Sequence, residues 1–384
     1  MKIMNYLGLL MAAILIVAAP AAGQSQNNQA AEKLTYTNAQ AYQKVTLSQK
    51  KARKLKNVVL MIGDGMGLHQ VSAAWVANHG QLNLDQFPTV GLMRTYAANR
   101  LITDSGAAGT AMATGQKTNY HSVGVDTVGR PLSSLAKLAH EKGLSTGVVV
   151  TCNLTDATPA TFCAHHSDRD QEEQLALDFL SCGVDYIFGG GRKVFTQRTD
   201  QRNLMAEMEA AGYQTPSNWS ATKVLEGGKV FSVLEDGQLP LAAERGRVFQ
   251  AACLHALSLL DNSKDGFFAM FEGSRIDDCG HWNDVPKLME EIFDFDQTIG
   301  RVLQWAEQDG ETLVIVLADH ETGGLTLLDG DIETGQVSGH FSTGGHSGIL
   351  VPVYAYGPGA ELFGGIYENT EVFEKIVKLL QLKR

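Results

Sequence analysis

The stretch Asn57-Val-Val-Leu-Met-Ile-Gly63 is a continuous apolar run that ends in glycine and is followed directly by Asp64-Gly-Met-Gly67. An uninterrupted apolar run is typical of a strand that is buried on both faces of a parallel sheet. Similar runs recur along the chain at residues 145–150, 185–188, 266–271, 312–317 and 349–354. Helical patterns separate them at residues 132–142, 172–180, 203–211, 245–260, 287–308 and 371–382. The alternation predicts an α/β three-layer sandwich in which helices flank a largely parallel central sheet.

Composition places the chain among acidic globular proteins. Of 384 residues, 44% are hydrophobic and 19% are charged, which excludes a disordered or fibrous protein. Asp and Glu outnumber Lys and Arg by 42 to 31, and no basic block occurs. We therefore expect no nucleic-acid partner. If such a protein handles anions, bound metal ions are one source of the positive charge it needs.

The amino terminus has the pattern of a secretory signal peptide. Lys2 precedes an apolar run at residues 6–19, which is shorter than the roughly 20 residues that span a bilayer. Small residues follow, and cleavage is predicted near residues 21–23. The alternative is an uncleaved anchor. We expect a signal peptide at 1–23, one large domain at 24–384, a periplasmic or secreted location, and no stable membrane insertion after cleavage. Residues 186–245, rich in glycine and polar residues, are interpreted as a possible lobe over the core.

Export would allow disulfides to form. The five cysteines are Cys152, Cys163, Cys182, Cys253 and Cys279. Because five is odd, at least one is free or pairs between chains. Two interpretations stay open, namely buried thiols throughout and one bridge.

Side chains that bind metals follow the predicted strands. In open α/β sheets, functional sites lie beyond the carboxyl ends of the strands. Here those ends are followed by Asp64, Asp156 with Thr158, Glu272 with Asp277 and His281, Asp319 with His320, and, before the last strand, His346. Each alone is explained by a helix cap or a turn. Together they form a set of oxygen and imidazole ligands suited to zinc and magnesium.

A second unusual stretch runs from Thr103 to Gly115 and is built of small residues, with Ser105 at a predicted helix start. The positive end of a helix favours an anion or an alkoxide. The simpler interpretation is that Asp104 or Ser105 is only a cap. A serine becomes a nucleophile when a base or a metal activates it, which links this stretch to the metal-binding set.

These motifs, in this order, resemble bacterial alkaline phosphatases: Asp64-Gly-Met-Gly, Thr103-Asp-Ser-Gly-Ala-Ala, Asp156-Ala-Thr-Pro-Ala, Glu272-Gly-Ser-Arg-Ile-Asp, Ala318-Asp-His-Glu-Thr-Gly and Gly345-His-Ser-Gly. The resemblance spans about residues 55–380. The chain is shorter than larger members of that family, mainly between residues 280 and 350, which predicts a reduced surface lobe.

The resemblance implies two zinc ions, one magnesium ion and a phosphoserine intermediate. Asp64, Asp319 and His320 would bind one zinc ion beside Ser105, and Asp277, His281 and His346 would bind the other. Asp156, Thr158 and Glu272 would bind magnesium, with Asp64 as a bridge. Arg169 matches the family's phosphate-binding arginine.

The expected activity is hydrolysis of phosphate monoesters by a homodimer. A phosphodiesterase of the same superfamily and a non-catalytic phosphate- or zinc-binding protein are the alternatives. Asp278 departs from the lysine or histidine of well-known family members. It either brings a negative charge close to phosphate or points away into a turn with Gly280.

Overall fold

The computed structural model describes residues 31–48, 50 and 52–383. The predicted signal peptide lies outside these residues. No helix within them is long and apolar enough to cross a membrane.

The strands follow the chain as β1 (Thr35–Thr37), β2 (Asn57–Gly63), β3 (Thr89–Arg94), β4 (Ser145–Asn153), β5 (Tyr186–Gly190), β6 (Tyr213–Gln214), β7 (Lys229–Val233), β8 (Phe267–Gly273), β9 (Thr312–Leu317), β10 (Glu321–Thr322), β11 (Leu325–Asp331), β12 (Gln336–Phe341), β13 (His346–Ser347), β14 (Val351–Tyr356) and β15 (Gly365–Glu368).

The α-helices are α1 (Leu68–Ala77), α2 (Ser105–Thr114), α3 (Leu135–Glu141), α4 (Ala157–Cys163), α5 (Glu172–Asp178), α6 (Arg192–Thr196), α7 (Leu204–Ala210), α8 (Trp219–Thr222), α9 (Ala242–Arg245), α10 (Val248–Leu260), α11 (Arg275–His281), α12 (Val285–Asp309) and α13 (Thr370–Leu380).

Within the described residues, the central sheet has ten strands in the order β15-β3-β14-β9-β2-β8-β4-β5-β7-β6. Strand β14 is antiparallel to both of its neighbours, and the other nine strands share one direction. Every residue of β2, β8 and β9 is buried. This burial explains why those strands have continuous apolar sequences instead of alternating ones. The predicted α/β architecture is confirmed.

Helices cover both faces of this sheet. Phe267 and Phe268 are neighbours on β8, so their side chains project to opposite faces. The Phe267 ring lies 5.8 Å from that of Trp305 on α12, and the Phe268 ring lies 6.1 Å from that of Phe162 on α4. Helix α10 packs with α12, and α2 packs with α4 and α13. The result is the three-layer sandwich.

The interpretation of residues 186–245 as a lobe over the core is wrong. Strands β5, β7 and β6 of this region extend one edge of the central sheet. The apolar run at residues 185–188 predicted β5. The pattern did not reveal β7, which has five residues, or β6, which has two, because pairing with neighbouring strands decides the conformation of such short segments more than local sequence does. A separate three-stranded sheet, β1-β12-β11, joins the amino-terminal segment to the hairpin that follows β10.

Candidate active site

The predicted ligands meet at one edge of the sheet. Asp64 follows β2, Asp319 follows β9, and Glu272 is the penultimate residue of β8. Because β9, β2 and β8 are adjacent and parallel, their carboxyl ends open at the same edge. Asp156 follows β4, the next strand along, and precedes α4. This edge is where sites form in open α/β sheets.

Ser105 is the first residue of α2 and is buried, with 3% of its surface exposed. Its Oγ lies 3.2 Å from Nε2 of His320. Small residues allow this close packing, since a Cβ on Gly106 would lie 2.8 Å from the carbonyl oxygen of Ser122. The N–H groups of Gly106 and Ala107 donate to the Asp104 carboxylate, both at 3.2 Å. Those two groups therefore hold Asp104 in place and are not free for an anion.

The first predicted zinc set surrounds one imidazole. Nε2 of His320 lies 3.3 Å from Oδ1 of Asp64 and 3.2 Å from Oδ2 of Asp319. Burial and the neighbouring carboxylates, Asp319 foremost, raise the pKa of Asp64 well above its ordinary value. Burial and Asp277 raise the pKa of Asp319 to about 7. Burial lowers the pKa of His320, so this ring is neutral. Two carboxylates this close are unfavourable without a cation between them.

The second predicted zinc set also converges. Nε2 of His281 lies 3.1 Å from Oδ2 of Asp277, and Nε2 of His346 lies 3.6 Å from Oδ1 of Asp277. The two Nε2 atoms are 3.2 Å apart. The rings of His320 and His346 stack at 3.6 Å, which brings the two zinc sets side by side.

Backbone and hydroxyl groups orient all three rings. Nδ1 of His281 binds the carbonyl oxygen of Gly344 at 2.7 Å, and Nδ1 of His346 binds that of Thr103 at 2.8 Å. A carbonyl only accepts, so each Nδ1 must carry a hydrogen. Nδ1 of His320 lies 3.1 Å from Oγ1 of Thr322, which donates its own hydrogen to Asp277. A neutral ring held in this way directs the lone pair of its Nε2 at the shared space, as metal-binding histidines do.

A proton occupies part of this space in the metal-free protein. The hydrogen bond to Asp277 raises the pKa of His281 to about 9, although burial opposes it. A cation that binds at Asp277 and His281 must therefore displace this proton, which makes its affinity rise with pH.

The predicted magnesium set is brought together only in part. Oγ1 of Thr158 lies 3.5 Å from Oδ2 of Asp64. Glu272 is fully buried, and burial together with Asp156 and Asp319 raises its pKa to about 8. Asp156 acts on Glu272, but its Oδ1 already accepts hydrogen bonds from Arg169 Nη2 at 2.8 Å and from the N–H of Ala157 at 2.7 Å.

A second observation, independent of the distances between the ligands, also indicates that these residues can bind metal ions. Three buried carboxylate oxygens of the predicted ligands accept no hydrogen bond from the described residues: Asp64 Oδ1, Asp319 Oδ2 and Glu272 Oε1. Buried polar atoms are almost always satisfied, and unpaired ones are costly. Two of them lie beside the imidazoles, a mixed donor set that suits zinc, whereas Glu272 and Thr158 offer oxygen alone, which suits magnesium.

Arg169 lies beside helix α2, which begins at Ser105. Its Nη1 is 3.1 Å from Oδ2 of Asp104, and its Nη2 is bound to Asp156 as described. Although burial opposes it, Asp156 and Asp104 hold the pKa of the guanidinium above its ordinary value. The backbone N–H of Arg169 donates to the carbonyl oxygen of His121 at 2.8 Å. Arg169 is thus fixed at both its backbone and its side chain.

Two motif residues have a positioning role that sequence reasoning missed. Asp104 caps α2, as one interpretation proposed, and also binds Arg169, whereas Thr322 joins His320 to Asp277. Neither residue type signals such a bridging role by itself. Glu321, in the same motif as Asp319, accepts hydrogen bonds from Gln70 and Ser347 and so fixes β10 against β13.

Asp278 is not an unpaired charge. Its Oδ2 accepts a hydrogen bond from Nε of Arg275 at 2.5 Å, three residues earlier on α11. Burial raises the pKa of Asp278, and Arg275 opposes the rise. The remaining N–H groups of Arg275 include one that donates to the carbonyl oxygen of Leu239. The Asp278 carboxylate is therefore paired with Arg275. Among the described residues it makes no recorded hydrogen bond with Gly280, and it is not a free charge.

A cavity of about 620 Å³ lies away from this site. It is lined by Leu47, Thr312 and Tyr356, at the opposite edge of the sheet, and it contains none of the predicted ligands.

A mostly parallel α/β sheet that gathers carboxylates, imidazoles and a serine at its carboxyl edge defines a metal-binding hydrolase. Residues 55–339 match the family model described as alkaline phosphatase. The chain is 31% identical to alkaline phosphatase 4 of Bacillus subtilis (strain 168) over 89% of this chain and 92% of that protein. It is 28% identical to the alkaline phosphatase of Escherichia coli (strain K12), over 88% of each.

Solved structures agree with the sequence matches. The alkaline phosphatase from the Antarctic bacterium TAB5 superimposes with a TM-score of 0.82 at 38% identity, covering 87% of this chain and all of that one. A mutant of that enzyme has magnesium bound in its M3 site. The chain belongs to the alkaline phosphatase family and is a phosphoric monoester hydrolase.

Proposed function

We propose that this phosphatase hydrolyses phosphate monoesters through a phosphoserine formed on Ser105. The observation that carries the proposal is the position of Ser105 Oγ, 3.2 Å from His320 Nε2 in the buried cluster of carboxylates and imidazoles. Serine attacks phosphorus effectively only when its hydroxyl is activated, and this cluster is where activation is available. Attack by Oγ on phosphorus and loss of the alcohol leave the phosphoryl group on Ser105, and attack by water then regenerates the hydroxyl.

Three metal positions are proposed from the clustered ligands. Asp64, Asp319 and His320 would bind one zinc ion, Asp277, His281 and His346 the second, and Thr158, Glu272 and the bridging Asp64 a magnesium ion. When bound, these ions supply Lewis acidity and positive charge for the attacking and leaving oxygens. Asp156 also belongs to this proposed magnesium set, and because its Oδ1 already accepts a hydrogen bond from Arg169, its other oxygen would face the ion.

Arg169 is proposed to bind the phosphate group. Each terminal nitrogen of its guanidinium carries two hydrogens, and Asp104 and Asp156 take one from each. One hydrogen on each nitrogen is left for two phosphate oxygens, the paired geometry that guanidinium favours. The acidic partners hold the planar group in place before substrate arrives, so little side-chain entropy is lost on binding.

The proposed nucleophile is tested with 4-nitrophenyl phosphate and its bis(4-nitrophenyl) diester, assayed side by side. We expect faster hydrolysis of the monoester and a loss of at least about 10³-fold in kcat for Ser105→Ala. Ser72→Ala is the matched control, since Ser72 is exposed on α1 and binds only the local carbonyl of Leu68. Residual activity of Ser105→Ala close to wild type would refute the nucleophile, and faster diester hydrolysis would replace the monoesterase with the phosphodiesterase alternative.

Export and a homodimer are the remaining parts of the proposal. They rest on the signal-peptide pattern and on the family resemblance. Amino-terminal sequencing of the protein from its host should begin near Gln24, and light scattering should give twice the mass of the mature chain. A protein that begins at Met1, or a monomer at micromolar concentration, would contradict the respective part.

A further inference from the structure

Cys163 and Cys182 come together outside the active site. Cys163 is the last residue of α4, and Cys182 follows α5 by four positions. Both are buried thiols, and both line a cavity of about 280 Å³ together with His165 and Asp178. The cavity therefore lies beside two sulfur atoms that the fold otherwise covers.

The two thiols line the same cavity. The interaction between them raises the pKa of Cys163 and lowers the pKa of Cys182. The backbone N–H of Val184 and the charge of Lys229 act on Cys182 in the same direction, against burial. A thiolate is the attacking species in disulfide exchange, and a second thiol beside it can complete the reaction.

The other three cysteines differ from this pair. Cys152 donates to Glu272, within the active site, at 3.7 Å. Burial raises the pKa of Cys152, Cys253 and Cys279 alike. Each is therefore held as an unreactive thiol.

The backbone around the pair is already fixed. Both Nδ1 and the backbone N–H of His165 lie 2.9 Å from Oδ2 of Asp178. This contact joins the residues after α4 to the end of α5, the same two elements that carry the two cysteines. A disulfide between Cys163 and Cys182 would thus join two segments that the contact between His165 and Asp178 already holds together.

We propose that Cys163 and Cys182 form a disulfide in the oxidised protein, and that it braces the segment that carries Arg169. With a disulfide such as oxidised glutathione as oxidant, the Cys182 thiolate attacks one of its sulfurs and expels a glutathione thiolate. The Cys163 sulfur, after losing its proton, attacks Cys182 and expels the second. Two protein thiols are oxidised, one glutathione disulfide is reduced to two thiols, and the phosphatase reaction is not involved.

The bridge would close the chain between residues 163 and 182, which contains Arg169. Closing a loop of this length stabilises a protein mainly by restricting its unfolded state. Export into an oxidising compartment, proposed above, would provide the conditions in which such a bridge persists.

Peptide mapping tests the bond. The metal-loaded protein is incubated with oxidised glutathione, denatured, alkylated without reductant and digested, and linked peptides are assigned by fragmentation. We expect a link between Cys163 and Cys182, three alkylated cysteines, and a monomer-sized band on a non-reducing denaturing gel. Five alkylated cysteines, or a link that involves any of the other three, would overturn the proposal.

Thermal unfolding tests the brace. Reduction with a phosphine, which does not compete for zinc as a dithiol does, should lower Tm by roughly 3–6 °C. Cys182→Ala should show no response to the phosphine, and the control Cys253→Ala should keep both the link and the response. A linked wild-type protein whose Tm is unaffected by reduction would refute the brace. These readouts do not require activity, so their failure is separate from failure of the proposed Ser105 mechanism.

Discussion

The Nε2 atoms of His281 and His346 lie 3.2 Å apart, with the Nδ1 of each ring bound to a backbone carbonyl oxygen. Two ring nitrogens cannot face each other at this distance with nothing positive between them. In the metal-free protein a proton on His281, shared with Asp277, fills this role. The metal ion proposed to bind at Asp277, His281 and His346 would take the place of this proton. The competition between the proton and the ion has measurable consequences.

The metal-free protein should lose stability between pH 7 and pH 9. Glu272, with a folded-state pKa of about 8, and His281, with about 9, keep protons in this range that the unfolded chain releases. Because the folded state binds more protons, its stability falls as pH rises. We expect a fall of about 1–2 kcal/mol, after allowing for the partial exposure of His281.

Chemical unfolding of the chelated protein at pH 7, 8 and 9 measures this effect. Zinc and magnesium should remove the pH dependence, since bound cations replace the protons. Equal stability of the chelated protein at all three pH values would show that Glu272 and His281 do not retain these protons when no cation is bound.

Thr322→Val should weaken zinc binding by 10–100-fold. Thr322 is buried, and its hydroxyl links Nδ1 of His320 to Asp277, so valine keeps the shape but releases both ligands. Titration against a competing chelator measures the affinity, and kcat at saturating zinc should change little. Thr326→Val, at an exposed position of β11, is the control. Unchanged zinc affinity in Thr322→Val would show that the hydroxyl does not orient the ligands.

Arg169→Ala should raise the inhibition constant for phosphate and KM at least about 10-fold, with a smaller effect on kcat. The guanidinium cannot be deprotonated at working pH, so its loss removes binding and no proton transfer. Arg169→Lys should recover only part of the affinity, because an ammonium lacks the paired donors. Arg202→Ala removes an exposed ion pair with Glu207 and serves as the control. If phosphate inhibition of Arg169→Ala matched wild type, the phosphate clamp would lie elsewhere.

Asp278 and Arg275 should have opposite effects on phosphate affinity. Asp278→Asn leaves the Arg275 charge unpaired, and Asp278→Lys adds a second positive charge, so phosphate should bind more tightly in that order. Arg275→Gln releases the Asp278 charge and should weaken binding. Solvent and salt moderate all three shifts. The check is the phosphate inhibition constant from pH 7 to 10 at low salt, and no change in any variant would exclude an electrostatic role for the pair.

Sequence alone predicted the architecture, which the structure confirms, and it predicted a set of metal ligands at one edge of the sheet. The runs that form β2, β8 and β9 are almost entirely apolar because helices cover both faces of the sheet. Every residue of these strands is buried, so the sequence of each strand shows its burial directly. Ligand types after those strands predicted where the site lies, since parallel strands end at a common edge. The short strands β6 and β7 have no recognisable strand pattern in the sequence, because strands distant in the chain determine their pairing.

Tertiary structure alone decided how the site residues are bound to one another. Ser105 and His320 are 215 positions apart, and no local pattern encodes their 3.2 Å contact. The same holds for Arg169 between Asp104 and Asp156, for Thr322 between His320 and Asp277, and for Cys163 and Cys182 at one cavity. Sequence patterns record whether a side chain is buried and which chemistry it carries. The direction in which it points, and the partner it meets there, depend on the packing of elements that the chain brings together only on folding.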